Sequence, residues 1–127
     1  MWETRVYYGD TDAFGVIYYA NYLKYFEKSG YEYLAARGLS LMVWEKKGIF
    51  FIQKRVEVDY ISTARYGDII QVQTTVSRVT GAAFTFHHRV TLKDTGRLLA
   101  EGENQMVCIT KEAKPRRLPE EFLKGLQ

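Results

Sequence analysis

A single change of period organises this chain. From Asn21 to Arg37 apolar residues recur in steps of three and four, at Leu23, Phe26, Gly30 and then Tyr33 or Leu34. Lys24, Glu27, Lys28 and Glu32 fall largely elsewhere, as on an amphipathic helix. From Phe50 onward the period is two. One long amphipathic helix followed by strands restricts the fold to an α+β domain whose sheet covers the helix's apolar face.

The boundaries of that helix are readable. Asn21 is expected to accept a hydrogen bond from a free N–H of the first turn, and Gly38 after Arg37 is a sensible stop. Gly30 in mid-helix costs about 1 kcal/mol relative to alanine. Lacking a side chain, it lets the helix backbone lie close to a sheet, which offsets that cost. Leu39–Lys47 predicts a shorter helix, amphipathic through Leu41, Met42 and Trp44 and ending at Gly48.

Ahead of the long helix, Glu3–Tyr8 alternates as a strand. Gly9–Gly15 breaks the pattern with two glycines and two aspartates, the composition of a turn. Val16–Ala20 is ambiguous and leaves a short helical turn open. Behind the helices, four strands are expected. Phe50–Ile61 sets Val56, Val58 and Tyr60 against Arg55, Glu57 and Asp59, and Asp68–Val79 follows Gly67. Phe84, Phe86, His88, Val90 and Leu92 share one face of the third, and Leu98–Ile109 carries polar residues that imply a partly wet face. Thr80-Gly81 and Asp94-Thr95-Gly96 mark hairpin turns. Glu120–Leu126 can form a last helical turn. One curved sheet around one helix leaves strand edges to be covered, which two copies pairing edge to edge would do.

Composition bounds the rest. The 127 residues suit one domain, 1–127, and 46% hydrophobic with 26% charged residues argues against disorder. No apolar run approaches the roughly 18 residues of a membrane span, and MWETRVYY does not read as a secretory signal. Cytoplasmic residence is the expectation. A net charge of +3 does not call for nucleic acid, and the basic residues are scattered until Lys111, Lys114, Arg116 and Arg117. That cluster reads as a solvated tail or as a contact for phosphate.

Chemistry has few places to sit. His87 and His88 are adjacent in a strand and point to opposite faces, so no metal site is expected, and Cys108 reads as a buried inert thiol. No glycine-rich phosphate loop occurs. Asp10, Asp12 and the backbone amides after them survive. Aspartates in a turn ordinarily bond their own backbone. A carboxylate beside free N–H groups at a helix start can also attack a polarised carbonyl, or direct water at it, without metal or histidine. Eight of the ten tyrosines, from Tyr7 to Tyr33, crowd the same stretch, most as packing residues and a few as pocket walls.

The segment YYGDTDAFGVIYYANYLKYFE resembles the signature of the 4-hydroxybenzoyl-CoA thioesterase family, in particular the short bacterial acyl-CoA thioesterases associated with the Tol–Pal envelope system. The motif is dense over about twenty residues, and the order of elements extends the likeness to the whole domain. The resemblance implies the hotdog fold, a five-stranded antiparallel sheet wrapped around one long helix. It also implies dimers, or dimers of dimers, with active sites between subunits.

Carried over by motif, the catalytic carboxylate is Asp12, acting as nucleophile or general base, while Asp10 organises the turn. The oxyanion donor is the backbone N–H of Tyr19, where many members have histidine. Tyr18 and Asn21 fall on substrate-binding positions, Asn21 with a capping role as an equal alternative. The implied substrate is an acyl-CoA, with acyl carrier protein as another thioester donor. No cofactor is implied, since CoA belongs to the substrate and product. Lys111, Lys114, Arg116 and Arg117 are candidates for the nucleotide phosphates. Two rival readings stand beside this one: a thioesterase using Glu27 or Glu32 of the long helix, and a noncatalytic hotdog domain that binds acyl thioesters or proteins.

Overall fold

The computed structural model describes residues 1–126. Its elements are β1 (Trp2–Arg5), α1 (Asn21–Ala36), α2 (Leu41–Lys46), β2 (Phe50–Tyr60), β3 (Ile69–Val79), β4 (Ala83–Leu92), β5 (Leu98–Ile109) and α3 (Glu120–Leu126). The strands form one antiparallel sheet in the order β1-β3-β4-β5-β2, with α1 against its concave face. This is the α+β hotdog arrangement expected from the sequence.

The first strand is shorter than the alternation suggests. It ends at Arg5, and Tyr8–Asp10 forms a single 3-10 turn. The reason lies in Asp10, whose Oδ2 accepts from Tyr7 N–H at 2.9 Å while its own N–H donates to the Tyr7 carbonyl at 2.9 Å. A carboxylate that takes a backbone donor removes it from the strand ladder. Val16 to Ala20 is not a helix: Val16 bridges to Arg65, and Ile17 to Thr11.

The face of α1 is also rotated from the expected one. Tyr22, Tyr25, Phe26, Ser29, Gly30 and Leu34 are buried, whereas Leu23 is 42% exposed. Gly30 does bring helix and sheet together, since a Cβ there would stand 2.9 Å from Cε2 of Phe86 on β4. Gly102 on β5 plays the matching part, because a Cβ would meet the Phe26 ring at 2.9 Å and collide with the Glu57 carbonyl. The core divides into two clusters. One, with Val6, Tyr22, Phe26, Ile70 and Leu99, lies under the start of α1, and the other, with Leu34, Trp44, Phe84, Phe86 and Phe122, lies under its end.

The sheet is unequally finished. β1 closes one edge with four residues, while the free edge of β2 runs for eleven. Ile52, Val56, Tyr60 and the following Ile61 are exposed along it. A register shift between Gln53 and Arg55 places a bulge in that strand, a device that re-aims side chains next to functional sites.

Candidate active site

The turn ahead of α1 is built by its two aspartates in different ways. Asp12 N–H donates to the Val16 carbonyl, and Gly15 N–H to the Asp12 carbonyl, each at 2.9 Å. Gly15 has φ +86°, a left-handed conformation that glycine adopts without strain. One carboxylate oxygen of Asp12, Oδ1, accepts from Phe14 N–H at 2.9 Å and from Val16 N–H at 3.4 Å. Oδ2 has no hydrogen-bond partner among the described residues. The half-buried carboxylate is therefore fixed by one oxygen and offers the other.

Asp10 contributes its backbone. Its carbonyl accepts from Tyr18 N–H and from Asn21 Nδ2, both at 2.9 Å. Asn21 thus does not cap the helix as an acceptor. It is already the first helical residue, Ala20 being the N-cap, and its side chain donates backward to tie the turn to α1. Tyr18 N–H is consumed by the same carbonyl. Tyr19 N–H, by contrast, donates to no acceptor among the described residues, and it stands where the positive end of the α1 dipole favours negative charge.

Aromatic side chains surround this opening. The Tyr18 and Tyr19 rings are 4.9 Å apart, the Tyr60 ring stands edge-on to Tyr19 at 6.4 Å, and Tyr60 Oη donates to the Tyr19 carbonyl at 3.0 Å. Tyr22 lies beneath them, its hydroxyl pKa pushed up to about 12, chiefly by burial and secondly by Tyr60. It stays neutral at any physiological pH.

From Leu23, four residues beyond Tyr19, a cavity of about 760 Å³ runs between α1, α2 and the β2 side of the sheet. Phe26, Leu34, Phe84, Phe86 and Met106 supply apolar wall, and Gln53 and Asn104 supply polar wall. Glu27 and Glu32 are exposed side chains on its helical side.

Behind the wall lies a set of residues that the sequence did not single out. His88 is fully buried, stacked on Phe26 with ring centres 4.3 Å apart. Its Nδ1 is 2.8 Å from Thr74 Oγ1 and its Nε2 is 2.6 Å from Asn104 Oδ1. Burial, reinforced by His87 and opposed by the Asn104 bond, depresses its pKa to about 4, so the imidazole is neutral. The available signal was phase: His88 and Asn104 are polar residues at inward positions of two neighbouring strands.

His87 faces the other side, with Nε2 2.8 Å from Glu101 Oε2, so the two histidines do point apart. Cys108 is fully buried and its thiol pKa is raised, first by burial. No helix among the described residues is long and apolar enough to cross a membrane.

The basic cluster is not brought to Asp12. Arg116 N–H donates to the Cys108 carbonyl, and Phe50 pairs with Ile109, so Lys111, Lys114, Arg116 and Arg117 lie at the Phe50 end of β2. Tyr60, which pairs with Ala100 and touches Tyr19, marks the opposite end. Ten steps of about 3.3 Å separate the two ends by roughly 33 Å within one chain.

Residues 6–126 match the thioesterase-like superfamily. The chain belongs to that superfamily. It is 32% identical over 123 residues to the acyl-CoA thioester hydrolase YbgC of Escherichia coli O6:H1, covering 96% of this chain and 91% of the relative. Identity to the acyl-CoA thioesterase YbgC of Haemophilus influenzae is 35% over 119 residues, covering 92% and 86%. Among solved structures, a 1,4-dihydroxy-2-naphthoyl-CoA thioesterase from Synechocystis superposes with a TM-score of 0.91 at 25% identity, over 98% of this chain and 93% of the other. By sequence and by fold, this chain stands among the hotdog thioesterases.

Proposed function

We propose that this protein hydrolyses acyl-CoA thioesters at the turn before α1, with Asp12 and Tyr19 N–H as the reacting pair. The observation that carries the reading is that two groups of the segment leading into α1, Oδ2 of Asp12 and the N–H of Tyr19, both lack a partner among the described residues. The thioester carbonyl oxygen accepts from Tyr19 N–H, a contact that strengthens as the oxygen becomes an oxyanion. One such donor is worth about 3 kcal/mol in the transition state.

Asp12 then acts by one of two balanced routes. As nucleophile its Oδ2 bonds to the carbonyl carbon and the C–S bond breaks, leaving an aspartyl–acyl anhydride and CoA thiolate, and water then cleaves the anhydride. As general base it takes a proton from water, whose oxygen bonds to the same carbon before the thiolate departs. Repeated turnover in ¹⁸O-water detects the nucleophile route when water cleaves the anhydride at its aspartyl carbonyl, because only that path leaves label in the Asp12 carboxyl. Tyr18 and Asn21 flank the site, Asn21 as the tie that holds the turn.

The rest of the substrate asks for a second copy. The eleven-residue open edge of β2, lined by Ile52, Val56 and Tyr60, supports pairing with the same edge of another chain. Antiparallel pairing about a two-fold axis near Arg55 sets the Phe50 end of one β2 beside the Tyr60 end of the other. Lys111, Lys114, Arg116 and Arg117 of the partner subunit then reach the CoA phosphates of a thioester held at Asp12. The pairing converts a separation of roughly 33 Å within one chain into proximity across two.

The test is a panel of acyl-CoA and acyl carrier protein thioesters, read by release of free thiol. Turnover of acyl-CoA that depends on Asp12 is expected. Absence of turnover on the whole panel, with binding retained, overturns the assignment in favour of a binding module.

A further inference from the structure

The polar residues behind the cavity form one chain whose polarity is fixed from one end. At the β2 bulge, Gln53 Nε2 donates to the carbonyl oxygens of Arg55 and Gln105. Carbonyls only accept, so Gln53 turns Oε1 toward Asn104, and Asn104 Nδ2 donates to it at 2.9 Å. Asn104 Oδ1 is thereby the acceptor for His88 Nε2–H at 2.6 Å. Nδ1 of that tautomer accepts from the Thr74 hydroxyl at 2.8 Å, and Thr74 in turn accepts from Ser29 at 2.5 Å. Among the described residues, every donor proton in this hydrogen-bonded chain is committed except one, the second N–H of Asn104.

Asn104 is 7% exposed and lines the cavity among Phe26, Phe84, Phe86 and Met106. A fixed amide donor against aromatic wall gains most from a ligand that brings an acceptor. Its depth follows from the register. Asn104 pairs with Val56, four residues from the Ala100–Tyr60 rung beside Tyr19, or about 13 Å along the strand.

We propose that Asn104 determines specificity, selecting acyl groups that carry an accepting oxygen remote from the thioester over hydrocarbon groups of the same size. The inference rests on the thioesterase reading above, which puts the reacting carbonyl at Tyr19. Asn104 touches the acyl group, and His88 is a positioning residue that holds Asn104 with the spare N–H toward the cavity. Because burial keeps His88 neutral down to about pH 4, this orientation persists through the working range. A site that hydrogen-bonds its substrate discriminates against the analogue lacking that group far better than an apolar pocket discriminates by size.

Matched pairs test this: decanoyl-CoA against 9-oxodecanoyl-CoA, and 4-ethylbenzoyl-CoA against 4-acetylbenzoyl-CoA. The first pair reports an aliphatic source for the oxygen and the second an aromatic one. In at least one pair kcat/KM is expected to favour the ketone at least tenfold. Asn104→Leu should bring the ratio within threefold of one. Asn104→Asp, which still accepts from His88 but exchanges both amide donors, the spare one and the one to Gln53, for an acceptor, should erase or invert it, with the melting temperature of each variant showing that it is folded. Equal rates within both pairs, or a preference that survives in Asn104→Asp, overturn the proposal. Calorimetry with the corresponding non-hydrolysable thioethers keeps the two readings apart. A ketone preference in binding without any turnover sinks the hydrolase assignment and upholds this one, whereas turnover without preference does the reverse.

Discussion

The hydroxyl of Tyr60, on the last residue of β2, donates to the carbonyl oxygen of Tyr19 at 3.0 Å. The bond crosses 41 residues of sequence and couples the open edge of the sheet to the peptide that begins α1. Removing it with Tyr60→Phe deletes one partly exposed hydrogen bond, worth about 1 kcal/mol. Global stability should change by no more than that, since the ring still packs on Tyr22 at 5.3 Å. The effect is expected in kcat, down roughly three- to tenfold, with KM changed less than twofold. A kcat equal to that of the parent would mean that the helix positions this peptide unaided.

Asp12→Asn separates chemistry from architecture. An asparagine oxygen can still accept from Phe14 N–H, so the turn should persist and the melting temperature should stay within a few degrees. Hydrolysis should fall by about 10²–10⁴, the usual contribution of a positioned acid–base group. Glu27→Gln and Glu32→Gln, which alter exposed carboxylates at the cavity, should remain within threefold of the parent. A loss under tenfold for Asp12→Asn removes it from the central role. Tyr19→Phe keeps the backbone donor and should be nearly silent, whereas Tyr19→Pro deletes that N–H and should cost 10²–10³, in the range for an oxyanion donor.

Gly30 offers a test of packing. Alanine there gains about 1 kcal/mol of helix propensity. Against this, the new methyl meets the Phe86 ring at 2.9 Å, and that ring is held by Phe84 at 5.1 Å, His88 at 5.5 Å and Tyr33 at 5.8 Å. Overpacking of this kind costs about 1–3 kcal/mol, so Gly30→Ala should destabilise by roughly 1 kcal/mol net, read from urea unfolding. A stabilised variant would show that Phe86 can yield freely.

Much of the scaffold was legible because it is local. The bounds of β5, the inward face of β4 and the close approach at Gly30 all follow from period and residue type. The rotation of α1 was not legible. Tyrosine counts weakly in a hydropathy pattern, yet Tyr22 and Tyr25 are the buried residues and Leu23 is the exposed one. Nor could the pattern show that Asn21 donates to Asp10 or that Tyr7 N–H leaves the strand for the Asp10 carboxylate, since each depends on a turn's backbone path. The relay from Ser29 to Gln53 was least visible of all. Its members come from α1, β3, β4, β5 and β2, and only the pairing register aligns Thr74 with His88 and places Asn104 two rungs away on the same face. Sequence spacing carries no such information.

His88 makes stability depend on pH with a definite sign. Its folded pKa, about 4, lies below the unfolded value near 6.5, so the unfolded chain binds the extra proton between those limits. The buried neutral ring therefore contributes fully above about pH 6.5. That contribution declines as pH falls toward 4, by an order-of-magnitude 3 kcal/mol in all. Other groups titrate in the same window, so the informative quantity is the difference between the parent and His88→Gln. The parent should lose more urea-unfolding free energy between pH 7 and pH 4.5, while the glutamine variant is less stable at pH 7 but flatter. Parallel profiles would contradict a neutral buried His88.

The proposed two-subunit site makes a prediction that no single-chain site shares. Arg116→Ala/Arg117→Ala should raise KM for acyl-CoA at least tenfold with little change in kcat, and added salt should narrow the gap because screened charges attract phosphate less. Asp12→Asn should lower kcat by the same factor of about 10²–10⁴ with KM little changed. When the two impaired preparations are unfolded together and refolded, mixed dimers form. If the basic residues serve the site of the partner subunit, one site in each mixed dimer combines an intact Asp12 with intact arginines, and the other carries both defects. Activity at low substrate should then return to about half the parental value per mixed dimer, a share fixed by the two-fold symmetry of the pairing. If each chain supplies its own arginines, every site keeps one defect and mixing restores nothing. The roughly 33 Å along β2 between Tyr60 and Phe50 argues for the first outcome, and failure of the mixture to recover would break the link between the β2 edge and the phosphate contacts.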